Sequence, residues 1–282
     1  SGAGYQYEDS VIYGFTHTYK GHWNLCHIPL LPVTGTPTPG DYCSPFSHER
    51  ESAAPGYYQV FLDRYGVDAQ LSSTLRCAFH KYTYPAGAAA SLLADLQRSN
   101  EHVRAWDIRK EGDNVFAGWQ QTGEKMYFYA VANRPVTGIE PVVEGDREVR
   151  IVRFGEGDGA LELRIGFSFV SEKNARENLE AEMLGKSFAE VRSEATATWN
   201  DLLGRIRVEG GTEREKGLFY SSLYRSFLWP ALRSDVNGEF TDVDGKVINP
   251  GFRYYTGPSY WDDYRNKLIL LGMLAPDVAA GG

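Results

Sequence analysis

Leu161-Glu162-Leu163-Arg164-Ile165-Gly166-Phe167-Ser168-Phe169-Val170-Ser171 decides the fold, because two periods meet in it. As far as Phe169 every second residue is apolar, opposite Glu162, Arg164, Gly166 and Ser168, which is the signature of a strand buried on one face. From Ser171 onward the recurrence lengthens to four, with Ala175, Leu179 and Met183 in one row, which is the signature of a helix. The chain changes architecture at this point.

Upstream, from Tyr5 to about Val170, period-two alternation broken by Gly, Pro and Asn clusters predicts an antiparallel sandwich. Met126, Phe128 and Ala130 alternate with Tyr127, Tyr129 and Val131 after a hairpin bend at Thr122-Gly123. Leu71, Ser73, Leu75, Cys77 and Phe79 share one face of a run whose other face carries Ser72, Thr74, Arg76, Ala78 and His80, which places Cys77 inward. Ala86 to Ser99 has helical character and is predicted as a short insertion.

Downstream, Gly185 can stop the first helix, and Ser187 with Glu190 forms a capping box that starts another, striped by Phe188, Val191, Ala195, Trp199 and Leu202. A second box at Thr212 and Glu215 opens a helix with the rows Phe219/Leu223/Phe227 and Tyr220/Tyr224/Leu228, ended by Pro230. The last helix runs through Leu268, Ile269, Leu270, Leu271, Met273 and Leu274 almost without polar relief, as in a helix buried among others. Three such helices cannot close a helical domain alone, so the sequence reads as an excerpt: a sandwich over 1–170, linker helices over 171–211 and the beginning of a helical domain over 212–282.

The composition, 42% hydrophobic and 23% charged, is that of a globular protein. A net charge of −8 and the lack of any basic run argue against nucleic acid or an anionic membrane as partner. No apolar run reaches membrane-spanning length. Three cysteines, Cys26, Cys43 and Cys77, cannot form a closed disulfide set and match no zinc spacing. Pairing of Cys26 with Cys43 stays open.

Two stretches carry candidate chemistry. Ser259-Tyr260-Trp261-Asp262-Asp263-Tyr264-Arg265 crowds rings, carboxylates and an arginine where the loop Tyr255-Thr256-Gly257-Pro258 turns into a helix. Rings and polar forks suit a polyhydroxylated ligand. Ser259 with Asp262 also fits plain helix capping. Asp262 and Asp263 are neighbours on a helix and diverge by about 100°, so they are poorly placed as an acid/base pair across one bond. The second stretch, Gly14 to His27, holds His17, His22 and His27 with Trp23 and Cys26, in no spacing of a known zinc site, and is read as a ligand-facing or plain polar loop. Asp242, Asp244 and Gly245 form a turn that lacks the later ligands of a calcium loop. Nucleophile elbows, phosphate loops and dinucleotide fingerprints are absent.

Taken together, several phrases resemble the bacterial α-mannosidases of glycoside hydrolase family 92. They are Gly14-Phe15-Thr16-His17-Thr18, Ile28-Pro29-Leu30-Leu31-Pro32, Phe167 to Ser171 with Ala175-Arg176-Glu177-Asn178-Leu179, Trp199-Asn200, Phe219 to Arg225, and Trp261-Asp262-Asp263-Tyr264-Arg265. The resemblance implies a β-sandwich joined by helices to an (α/α)6 barrel, and a secreted, surface or periplasmic enzyme that removes terminal α-linked mannose from a glycan by a calcium-assisted inverting reaction. It implies that the acid, the base and the main calcium ligands lie beyond residue 282, so no catalytic or metal-binding residue is expected in this segment. Substrate-binding residues are then Trp261 and Asp262, at the subsite of the terminal mannose, with His17, His22, Trp23 and Arg265 bordering it. Where the family has a second histidine in the first loop this chain has Tyr19, which bears on the leaving-group side and admits a mannose-phosphate-linked glycan. A non-catalytic carbohydrate-binding sandwich is the alternative, and a structural interaction domain a third.

Overall fold

The computed structural model describes residues 6–20, 23–24, 26–256 and 266–280, without the side chains of 19, 20, 23 and 24. The alternating sequence folds into two main antiparallel sheets. The larger has eight strands in the order Ala105–Gly112, Val115–Gln121, Lys125–Ala132, Leu161–Ser168, Cys77–Thr83, Val67–Ser73, Tyr57–Leu62 and Glu51–Ala54. The smaller has four, in the order Val136–Glu144, Arg147–Phe154, Ser91–Ala94 and Leu30–Val33. Inward residues of both, among them Leu31, Leu93, Phe128, Ile151 and Leu163, form one core at 0% exposure.

Lys125–Ala132 keeps strict alternation, with Met126, Phe128, Ala130 and Ala132 buried, and pairs with Val115–Gln121 around the Thr122-Gly123 bend. Leu161–Ser168 alternates at first and is then buried on both faces, because helix α1 (Glu172–Glu182) lies across its outer side. Gly166 lies under that helix: a Cβ there would sit 2.1 Å from the Ala175 carbonyl oxygen.

Two expectations fail. Ala86 to Ser99 is not helical: Ser91–Ala94 is a strand between two others in the smaller sheet, all four residues buried. A strand covered on both faces needs no polar alternate, and its apolar run has no period to separate it from a helix. The run from Leu71 to His80 is not one strand but a hairpin, turned at Thr74–Arg76 and closed by the Thr74 N–H donating to the Cys77 carbonyl (2.9 Å). Leu75 is exposed at its tip, and Leu71 pairs with His80. Cys77 is buried as expected but on the other layer, with Phe79 against Leu179, Met183, Phe188 and Val191 of the helices. None of the three cysteines forms a disulfide.

The helices begin where their caps are written. Ser171 caps α1, and both predicted capping boxes close in both directions, at Ser187/Glu190 for α2 (Phe188–Gly204) and Thr212/Glu215 for α3 (Glu213–Phe227). Of the α2 stripe, Phe188 and Val191 reach the second core, while Trp199 turns to Tyr224 of α3, ring centroids 4.6 Å apart. The last long helix is described from Lys267 to Leu274; only Leu271 is buried, and Ile269 and Met273 stand exposed, as does Leu218 on α3. Its predicted opening at Ser259 lies outside the described residues.

Candidate functional site

The site is built on a chain crossing that needs unusual backbone. Phe15 and Leu30 exchange both backbone hydrogen bonds (2.8 and 3.0 Å), and the His17 N–H donates to the His27 carbonyl (3.2 Å). To bring residues 26–30 alongside 15–17, Cys26 and Ile28 take left-handed conformations, φ 58° and 50°, costly for side chains with a Cβ and more so for β-branched Ile28. Buried polar groups clamp Ile28 and His27 there. The Ile28 N–H donates to Gln120 Oε1 (2.8 Å), and the Gln120 amide donates to the carbonyls of Leu96 and Arg98. Thr122 donates to Glu101 (2.6 Å) and so accepts from His27 Nε2 (3.0 Å), which leaves Nδ1 of His27 as the lone-pair nitrogen.

His17 is the one predicted site residue whose side chain is described, and both of its ring nitrogens have partners inside the protein. Its Nδ1 faces the Ile28 carbonyl at 2.9 Å, and an oxygen acceptor there requires N–H on Nδ1. Nε2 of neutral His17 is therefore an acceptor, and it meets His80 Nε2 at 3.2 Å with the two rings nearly parallel (13°). His80 must donate from Nε2 and accept at Nδ1, where the Tyr82 hydroxyl donates over 2.6 Å. One carbonyl thus sets the proton positions of three side chains in a row. Both nitrogens of His17 are used inside the protein, so it borders the cleft as a ring and gives no free fork to a ligand. The sequence missed His80 as its partner, because it lies 63 positions away in the chain.

Burial holds both imidazoles neutral: the His17 pKa is lowered to about 4, against the partial help of its backbone hydrogen bonds, and that of His80 falls well below the ordinary value. Burial lowers His27 as well. An unfolded chain binds these protons near pH 6.5 and the folded chain does not, so stability is full above pH 6.5 and is lost as pH falls toward 4. Each histidine is expected to contribute a slope of about 1.4 kcal/mol per pH unit within its window. Denaturant titrations from pH 7 to 4 check this; a flat midpoint would show that the imidazoles are protonated in the fold.

In front of His17 opens a cleft of ≈ 660 Å³ between the larger sheet and the helical segment. Phe15, Tyr58 and Phe167 line it from the sandwich, and Trp199, Tyr224 and Arg233 from the other side. Its floor is braced by polar joints. Arg76 donates to Glu182 (2.5 Å) and to the Ser234 carbonyl (2.6 Å), and Asp235, 4% exposed, accepts from Ser168 (2.7 Å), Asn174 (2.8 Å) and Asn178 (2.7 Å). No pattern in the sequence marks Asp235, since its partners lie 57 to 67 positions before it in the chain.

Trp261, Asp262, Arg265 and His22 lie outside the described residues. Of Trp23 only the backbone is described, in a two-residue strand paired with Tyr19–Lys20. The calcium implied by the resemblance finds no donor set in what is described: no group of three His, Cys, Asp or Glu among the described residues could hold a metal. In the Asp242–Gly245 turn one oxygen of Asp242 accepts from the backbone of Asp244 (2.9 Å) and Lys246 (2.8 Å), so the carboxylate closes the turn. No helix among the described residues is long and apolar enough to cross a membrane.

Comparison with known proteins matches residues 1–179 to the glycosyl hydrolase family 92 N-terminal domain and residues 174–281 to the family's catalytic domain. A family GH92 α-mannosidase from Bacteroides thetaiotaomicron superposes with a TM-score of 0.88 at 26% identity, over 96% of this chain and 41% of that one. That protein has also been solved with mannoimidazole. The GH92 family glycosyl hydrolase ccman5 superposes with a TM-score of 0.88 at 28% identity, over 99% of this chain and 42% of that one. An uncharacterized secreted glycosidase from Arthroderma benhamiae is 24% identical over 84% of this chain. The chain spans 37% of that relative's length.

Proposed function

The chain belongs to glycosyl hydrolase family 92, and on that premise we propose that it is the sandwich and first helical part of an exo-acting α-mannosidase that removes terminal α-linked mannose from a glycan. The observation that carries the reading is the superposition on the Bacteroides thetaiotaomicron α-mannosidase along nearly the whole chain. The ring-lined cleft between sheet and helices supports it, since pyranose rings bury their C–H faces on aromatics. Asp262 would accept hydroxyls of the terminal mannose, with Trp261 against its ring and His22, Trp23 and Arg265 around it. His17 would add shape alone. Calcium-assisted inversion, with the metal, acid and base supplied by barrel residues beyond position 282, is part of the proposal. So is export to the cell surface, periplasm or medium, in keeping with the secreted relative.

Asp262→Asn in the full-length enzyme tests the role of that carboxylate. A charge-assisted hydrogen bond to substrate is expected to cost about 2–3 kcal/mol, or roughly 30- to 150-fold in kcat/KM on an α-mannoside, with an unchanged melting temperature. Parental turnover with a lowered melting temperature would assign Asp262 to helix capping instead.

A further inference from the structure

A second hollow, ≈ 810 Å³, lies on the sandwich beside the first and takes no part in the function above. The two share Phe15, Thr16, Tyr58 and Leu71 in their linings, and Phe15 meets Tyr58 edge-on (6.4 Å) at the saddle between them. We propose that this hollow is a second glycan subsite, which receives neutral sugar units of the same substrate remote from the bond that is cut. The proposal rests on the mannosidase reading and extends it to substrate length.

The lining suits saccharide. Tyr7 presents a ring that is 68% exposed beside the polar fork of Asp9, and Tyr13, 42% exposed, carries the Arg98 guanidinium over one face of its ring at 3.9 Å. Exposed rings next to hydrogen-bonding groups take the apolar face and the hydroxyl edge of a pyranose together. Charges of both signs line the hollow, Asp9 and Glu51 against His48 and Arg98, so it selects neither an anion nor a cation. A volume within about 300–1,000 Å³ is that of a small-molecule site. Among the described residues the Asp9 carboxylate accepts the backbone N–H of Gln6 (2.9 Å), and a carboxylate has about four lone-pair sites.

The platform is also held in place before any ligand arrives. The Tyr7 ring lies flat on His48, centroids 4.1 Å apart and 4° from parallel. His48 Nε2 donates to the Tyr7 carbonyl (2.7 Å) and Nδ1 to Glu51 (2.6 Å), while Glu51 accepts from Tyr58 (2.6 Å) at the saddle. Four side chains in series tie the rim of the second hollow to the wall of the first. An exposed ring fixed in this way loses little freedom when it stacks on a sugar.

Tyr7→Ala in the full-length enzyme, assayed on a linear α-mannohexaose and on α-mannobiose, decides the matter. The ratio of KM for the hexaose to KM for the biose is expected to rise about three- to tenfold, the scale of one ring contact, and Tyr7→Phe to keep the parental ratio. An unchanged ratio would overturn the subsite, as would an equal loss on both substrates, which marks a structural role. If the parent enzyme cleaves neither mannoside, the functional reading has failed and the subsite is judged by calorimetry with the hexaose. Binding that Tyr7→Ala weakens sustains it, and absent binding or binding indifferent to Tyr7 overturns it.

Discussion

Gly166→Val is expected to leave little folded protein. Gly166 lies on the strand Leu161–Ser168 where α1 crosses it, and a Cβ there would come within 2.1 Å of the Ala175 carbonyl oxygen and 2.8 Å of Leu179 Cβ. The first of these is backbone, so no rotamer relieves the clash; the helix must lift. Ala175 and Leu179 are at 0% and 1% exposure, and lifting them opens the core that also holds Cys77, Phe79 and Met183. Overpacking ordinarily costs about 1–3 kcal/mol, and a backbone clash lies at or above the top of that range. Against a total stability of about 5–15 kcal/mol this is a large fraction. Soluble yield and melting temperature check it, with Gly166→Ala as the milder member of the pair. A valine variant that melts with the parent would show that α1 does not press on the strand.

Asp235→Ala is expected to cost about 2–4 kcal/mol, because it removes the acceptor of three buried donors. Asn178 keeps a second bond to the Phe167 carbonyl (2.8 Å) and Asn174 one to Glu239 (2.9 Å), but Ser168 loses its acceptor outright. Asp235→Asn keeps the shape and turns an NH2 toward groups that themselves donate, so it is expected to fall between parent and alanine. Urea denaturation gives the difference. If the alanine variant unfolds at the parental midpoint, water has taken over the donors and Asp235 does not brace the cleft floor.

How much the sequence reveals depends on whether neighbours in space are neighbours in the chain. Capping boxes at Ser187/Glu190 and Thr212/Glu215 join residues three apart, and both are read correctly without the structure. The alternation of Lys125–Ala132 is equally local. Ser91–Ala94 escapes because both faces are covered, so no polar residue marks the alternation. The hairpin at Thr74–Arg76 escapes because the alternation runs through a turn that has neither Gly nor Pro. Of the candidate site, the histidines of the Gly14–His27 stretch are legible as a cluster, but the internal hydrogen bonds of His17 are not. Its partner His80 lies 63 positions away on another strand.

The stretch that ends the alternation is also the last strand of the larger sheet to be made. Leu161–Ser168 pairs with Lys125–Ala132 on one side and Cys77–Thr83 on the other, and so separates two hairpin meanders that are each contiguous in the chain. During synthesis both meanders can form while their facing edges stay bare, and neither can join the other until the ribosome has released residues 161–168. Bare edges are where strands from other chains add. For a nascent chain, the interval between Ala132 and Ser168 is therefore the period of greatest exposure to aggregation, and the keystone strand closes it.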